Sequence, residues 1–279
     1  MQVEQNATSP MEGGIGVFDS GVGGLSVLKE IDRVLPHEDL WYVADSAEAP
    51  YGEKSEEEIR QRSLELARFL VQRGAKALVI ACNTATAAAA EELRAQCPVP
   101  VVAVEPAVKP AVALSCSGCI GVLATTGTLQ SKRFQALLKR YAGSAEVAVQ
   151  ACPGLVERVE MGDLDGPVTR VLLGSYVQAL AERGADTLVL GCTHYPFLRP
   201  LVRDCIGETM PVLDTGLAVA RHLHSELRRL ELERPAARQG QRRFWTTGEP
   251  ARCESVLGRL WGRGAIVVEH IAPRPLSLL

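Results

Sequence analysis

Several common functional signatures are missing from these 279 residues. Neither charge is in marked excess. The formal net charge is −3, and the arginines are spread along the chain, so there is no electrostatic footprint for nucleic acid or an anionic membrane surface. No apolar run approaches the roughly 18 residues of a membrane span. The opening stretch, Met1 to Gly14, is polar and lacks the apolar core of a secretion signal, so it reads as a loose tail. The expected compartment is the cytoplasm, where the chain's cysteines stay reduced. Gly21, Gly23 and Gly24 suggest a dinucleotide turn, but Ser26 stands where the third glycine of G-x-G-x-x-G belongs, and no G-K-[ST] loop is present. The role left to that turn is to offer backbone N–H groups to a carboxylate. Cys116 and Cys119 form a C-x-x-C with no second ligand pair at zinc spacing, and they precede a strand rather than open a helix. His222 and His224, two residues apart, do not share a helix face. No cofactor and no metal is expected.

Against these absences stands a repeat. Arg73-Gly74-Ala75 leads through an apolar run to Ala81-Cys82-Asn83-Thr84. Arg183-Gly184-Ala185 leads through a second run to Gly191-Cys192-Thr193-His194. The spacing from arginine to cysteine is nine residues in both copies. An apolar run after a glycine reads as a strand buried on both faces, so each cysteine sits at the carboxyl end of a central strand. In open α/β sheets that edge binds ligands. A second pair recurs as well: Ile15-Gly16-Val17-Phe18 before Asp19-Ser20-Gly21, and Ile120-Gly121-Val122-Leu123-Ala124 before Thr125-Thr126-Gly127-Thr128. Gly16 and Gly121 lie 105 residues apart and the two cysteines 110 apart. Two features at nearly one offset argue for duplicated halves.

The chain in order alternates strands and helices. Strands are expected at 14–18, 40–44, the two cysteine runs, 99–104, 120–124, 146–151 and 211–213. Ser55 with Glu58 makes a capping box for a helix ending at Gly74. Helices are expected at 84–95, 131–141, 155–161, 168–183 and 218–231. A polar linker over 235–241 precedes one more unit, a strand at 243–246, a helix at 251–261 and a strand at 265–271. That unit has no counterpart in the second half and is expected to extend the first sheet. The fold class is α/β, with two pseudo-symmetric doubly wound parallel-sheet domains and the active site in the cleft between them. Residues 1–105 with 214–279 form the first domain, and 106–213 the second.

Two thiols at equivalent strand ends face one small ligand. Each is followed by polar residues that open a helix, whose free N–H groups and partial positive charge lower a thiol's pKa from about 8.5. Symmetric thiols suit a nearly symmetric reaction: one takes a proton from one face of a carbon and the other returns a proton to the opposite face. The helpers differ, Asp19 in the first half and His194 in the second. A buried core thiol, a helix N-cap aspartate and a surface histidine are the bland readings of these residues.

Six segments occur in the order found in one family: Gly16 to Leu25 (GVFDSGVGGL), Pro50 to Ser55 (PYGEKS), Ala81 to Ala85 (ACNTA), Glu105 to Ala111 (EPAVKPA), Leu123 to Thr128 (LATTGT) and Gly191 to Pro196 (GCTHYP). Together they resemble the glutamate racemases of the cofactor-independent aspartate/glutamate racemase family, over residues 14 to 215. The resemblance implies interconversion of L- and D-glutamate, with the D form destined for peptidoglycan. It implies that Cys82 takes the α-proton of D-glutamate and Cys192 that of L-glutamate, tuned by Asp19 and His194. Glu160 lies where the family has a further acid. Asp19, Ser20, Tyr51, Gly52, Asn83, Thr84, Thr193 and His194 would hold the substrate. Asp45-Ser46 stands where the family has Asp-Thr. Competing readings are a racemase for aspartate or another small amino acid, and a non-catalytic binding protein. Some family members are associated with a topoisomerase, on which the sequence is silent. A homodimer is the expected assembly.

Overall fold

The computed structural model describes residues 10–207, 209–236 and 238–272. Most of the opening tail (1–9) and one linker residue (237) lie outside the described residues. Among the described residues, ten strands form two wholly parallel sheets: β1 (Ile15–Asp19), β2 (Leu40–Ala44), β3 (Ala77–Ile80), β4 (Val101–Ala103), β5 (Cys119–Ala124), β6 (Glu146–Ala151), β7 (Thr187–Leu190), β8 (Val212–Leu213), β9 (Arg242–Thr246) and β10 (Val268–His270). The first sheet runs β10-β9-β2-β1-β3-β4 and the second β6-β5-β7-β8. Omitting β9 and β10, the two orders coincide strand for strand. Every residue of β1, β3 and β7 is buried, which accounts for their continuous apolar sequences.

The repeat has a physical cause in each half. Helix Glu56–Gln72 begins at the Ser55–Glu58 capping box. It and helix Pro167–Glu182 each stop at a glycine in the left-handed region, Gly74 at φ 88° and Gly184 at φ 84°. Beyond the glycine, Ala75 N–H donates to Leu70 O at 3.1 Å and Ala185 N–H to Leu180 O at 3.2 Å. Arg-Gly-Ala is therefore a helix stop that delivers the chain into a central strand. Gly16 and Gly121 are also equivalent. A Cβ at Gly16 would meet Leu78 at 2.9 Å and Leu70 at 3.0 Å, and at Gly121 Leu188 at 2.7 Å and Leu180 at 2.9 Å. In both halves the covering helix presses onto the first strand where no side chain intervenes.

The C-terminal unit places β9 beside β2, with β10 outside it. Helix Gly216–Arg229 packs against helix Leu25–Val34 of the first half. Two helices that the sequence reading left unassigned, Val108–Leu114 and Arg199–Ile206, carry Pro110 and Pro200 in their first turns. Proline is tolerated there because those N–H groups have no partner inside the helix. The strand expected at 265–271 is shorter, Val268–His270. No helix among the described residues is long and apolar enough to cross a membrane. One apolar cluster joins Val22 and Leu25 to Val156, Val159 and Tyr195, so the two halves share a core at their strand ends.

Candidate active site

Both cysteines line one narrow cavity, together with Ser20, Tyr51, Gly52, Asn83, Thr84, Thr193 and His194. Thr125, Thr128 and Val156 also line it. The two threonines were not among the expected site residues. Thr125 stands just past β5 as Ser20 does past β1, with Thr128 three residues on, so the strand-end rule applied to both copies would have found them. Thr84 Oγ1 lies 3.0 Å from Thr125 Oγ1 and 3.2 Å from Thr128 Oγ1, tying the two halves at this wall. Asn83 is buried, and its Oδ1 has no hydrogen-bond partner among the described residues, leaving an acceptor for a donor on a ligand.

The two sulfurs have different surroundings. Cys82 is the N-cap of helix Asn83–Gln96, and Ala85 N–H donates to its Sγ at 3.4 Å. Its thiol lies 3.7 Å from Ser20 Oγ. Contrary to the expectation of a lowered value, burial, reinforced by the nearby Asp19 charge, pushes this thiol up to about 12. The Ala85 N–H and the Ser20 hydroxyl pull the other way and lose. A helix start favours a thiolate, but desolvation on all sides costs it more. Cys192 differs again: no α-helix opens directly after it. A short 3₁₀ turn, Tyr195–Leu198, follows, and the partner of its Sγ is His194 Nδ1 at 3.7 Å.

Of the helpers, His194 lines the cavity, whereas Asp19 and Glu160 lie behind its wall. Asp19 is fully buried. Its Oδ2 accepts from Gly21 N–H at 3.0 Å and its Oδ1 from Thr193 Oγ1 at 3.1 Å. The helix begins only at Leu25, so the carboxylate ties the turn and the opposite half. Burial raises the Asp19 carboxyl to about 6, against the pull of His194 and Gly21 N–H. Glu160 Oε1 faces His194 Nε2 at 2.6 Å and accepts from Val22 N–H at 2.7 Å. Burial works against charge on His194, yet the hydrogen bonds to Cys192 and Glu160 hold it well above the usual histidine value. Ser26 Oγ donates to Thr193 O at 2.8 Å. Tyr51 is fixed from below by a hydroxyl hydrogen bond to Asp45, which Arg62 and Thr247 also hold.

The glycine turn is explained by this docking. A Cβ at Gly21 would stand 2.0 Å from Glu160 Oε1, and one at Gly23 2.2 Å from His194 Nδ1. The glycines let the second half's acid and imidazole come against the first half's backbone. The amides expected to bind a ligand carboxylate hold protein carboxylates instead.

Cys116 falls in a turn organised by Asp186, just before Cys119 opens β5; Asp186 accepts from Ser115 Oγ (2.7 Å), Cys116 N–H (2.7 Å), Ser117 N–H (2.6 Å) and Thr187 Oγ1 (3.1 Å). Burial opposes the charge, but these donors hold the carboxyl at about 2, below the ordinary 3.8. A carboxyl lowered in the folded state stabilises fully above its ordinary value, and that contribution disappears as pH falls through the folded one. The wild type should therefore lose thermal stability between pH 3.8 and about 2 more steeply than Asp186→Asn. Thermal melts at stepped pH check this, and parallel curves for the two proteins would contradict it.

The family model described as Asp/Glu/Hydantoin racemase matches residues 15–223. A glutamate racemase of Pseudomonas aeruginosa is 58% identical over 252 residues, covering 89% of this chain and 94% of that protein. Among solved structures, a glutamate racemase isoform of Bacillus anthracis superposes with a TM-score of 0.86 at 35% identity, covering 94% of this chain and 98% of its own. The Escherichia coli glutamate racemase, solved with L-glutamate and the activator UDP-MurNAc-ala, superposes with a TM-score of 0.81 at 32% identity and the same coverage. With two matched strand-end thiols in one small cavity and these relatives along nearly its whole length, the chain belongs to the Asp/Glu/Hydantoin racemase family and, within it, to the glutamate racemases.

Proposed function

We propose that the chain interconverts L- and D-glutamate by a two-base proton transfer at Cα, with Cys82 and Cys192 as the bases. The observation that carries this reading is that both sulfurs line one cavity from equivalent strand ends of opposite halves. Cys82 takes the α-proton of D-glutamate as its thiolate, and the Cys192 thiol gives a proton to the other face. The reverse direction exchanges the roles. Each turnover leaves the two sulfurs with swapped protonation, so each needs a neighbour that accepts and returns a proton. For Cys192 that neighbour is His194, in contact with the sulfur and backed by Glu160. For Cys82 it is Asp19, poised at about 6, near enough to neutrality to trade protons in either direction.

The Cα–H of an amino acid is a far weaker acid than a thiol, so the site must stabilise carbanion-like charge. Donors from Ser20, Asn83, Thr84 and Thr193 surround the position a substrate takes, and a substrate ammonium beside Cys82 would favour its thiolate. Tyr51 and Gly52 complete the substrate's enclosure. We assign residues 1–105 with 214–279 to the first domain and 106–213 to the second. The enzyme works in the cytoplasm, and its product D-glutamate is destined for peptidoglycan, a reading supported by the activator UDP-MurNAc-ala of the Escherichia coli relative. A homodimer is the assembly we infer. Val168 and Val171, exposed three residues apart on helix Pro167–Glu182, support it.

In heavy water, racemisation of either enantiomer should place deuterium at Cα of the product. Product that keeps its original α-hydrogen would sink the two-base reading.

A further inference from the structure

The second sulfur's helper chain does not end at Glu160. Tyr42, in β2, is wholly buried, and its hydroxyl donates to the Gly21 carbonyl at 2.6 Å. That carbonyl and the Val22 N–H are the two ends of one planar peptide unit. At its other end, Val22 N–H donates to Glu160 Oε1 at 2.7 Å. The same carboxylate oxygen lies 2.6 Å from His194 Nε2, whose Nδ1 lies 3.7 Å from Cys192 Sγ. One peptide plane thus links a phenol in the first sheet to the imidazole beside the second sulfur. A hydrogen bond at the carbonyl end polarises the amide and strengthens donation from the N–H end.

Shape alone does not require tyrosine here. The ring packs edge-on against Phe244, with centroids 6.4 Å apart, and phenylalanine would fill the same space. A hydroxyl in a wholly buried position costs desolvation unless it is used. The turn makes room for it: a Cβ at Gly24 would stand 3.0 Å from Tyr42 Oη.

We propose that Tyr42 is a positioning residue for the Cys192 half-reaction, acting through the Gly21–Val22 peptide to hold Glu160 and, through it, His194. The proposal rests on the reading of Cys192 as one of two bases. Burial and the adjacent Asp19 and Glu160 charges raise the phenol well above its ordinary value, so it stays neutral and a donor.

The test is Tyr42→Phe in the full chain, assayed with protiated and α-deuterated L- and D-glutamate. Both directions share one equilibrium, so kcat/KM must fall equally in each, by about tenfold for one hydrogen bond. The isotope effects separate the two sulfurs. With the Cys192 step slowed, the deuterium effect on kcat/KM should grow for L-glutamate and shrink toward unity for D-glutamate. Phe244→Leu, which disturbs the ring's packing but keeps the hydroxyl, should leave the pair of isotope effects as in the wild type. In a Glu160→Gln background, Tyr42→Phe should change kcat/KM less than about twofold, because the two act in series. A lowered rate with an unchanged pair of isotope effects, or full additivity with Glu160→Gln, would overturn the proposal. Should the phenylalanine variant not fold, 3-fluorotyrosine installed at position 42 keeps the ring and makes a stronger donor. It should shift the two isotope effects in the opposite sense, and no shift overturns the proposal. Retained α-hydrogen in heavy water would instead strike at the two-base reading itself, so the two failures are distinguishable.

Discussion

Cys82→Ser and Cys192→Ser should each cut racemisation by about 10³-fold or more, toward the upper end of what one positioned proton-transfer group supplies. The loss should be the same with L- and D-glutamate as substrate, because neither direction can proceed with one base. A serine hydroxyl is close in size to the thiol but far too weak an acid to serve as an alkoxide base. Its side chain fits both sites, buried to 5% and 7% exposure, so both variants should fold. Circular dichroism and glutamate-dependent thermal shifts confirm folding and binding, and a racemisation assay with both enantiomers reads the loss. Wild-type turnover in either variant removes that cysteine from the pair of bases. Any residual rate should not be additive: the double variant should be no slower than the worse single one, since the two thiols act as a unit.

Gly23→Ala should lower kcat/KM by about a hundredfold, the scale of a misplacement of about 1 Å in a catalytic group. The new methyl would stand 2.2 Å from His194 Nδ1 and 2.5 Å from its Cε1. The ring cannot swing aside, because it is 1% exposed and tied to Glu160. The imidazole must leave the sulfur or the turn must leave the second half. Overpacking of this kind also costs about 1–3 kcal/mol of stability, to be read by denaturant unfolding. Gly21→Ala should act similarly through Glu160, whose Oε1 would be 2.0 Å from the added carbon. Gly174→Ala is the control. It lies inside helix Pro167–Glu182 with nothing within 4 Å of the added carbon, so it should leave activity unchanged and stabilise by about 0.4–1 kcal/mol. Wild-type kinetics in Gly23→Ala would mean that the contact with His194 does not position the ring.

What the sequence discloses about this fold is what local rules determine. The Ser55–Glu58 box, the helix stops at Gly74 and Gly184 and the buried runs into Cys82 and Cys192 depend on neighbours a few residues away, and all stand where the sequence places them. The doubly wound arrangement follows from the alternation of strands and helices. Two features depend on how the halves dock and are not legible in this way. The glycines of the first turn read as amide donors for a ligand carboxylate until Glu160 and His194 are seen against them. The sign of the Cys82 shift depends on burial from every side, and a helix start alone points the wrong way. Thr125 and Thr128 were within reach of the repeat, because β5 repeats β1, but their residue types carry no acid or thiol to draw notice.

The hydrogen bonds that cross between the halves carry a further consequence. Thr193 to Asp19, Ser26 to Thr193, Val22 to Glu160 and Thr84 to Thr125 and Thr128 all join the two halves. Any separation of the halves would detach Glu160 from its backbone donor and Asp19 from Thr193. The seam that joins the halves and the polar groups behind the two sulfurs are thus made of the same bonds, so a substitution that loosens one loosens the other.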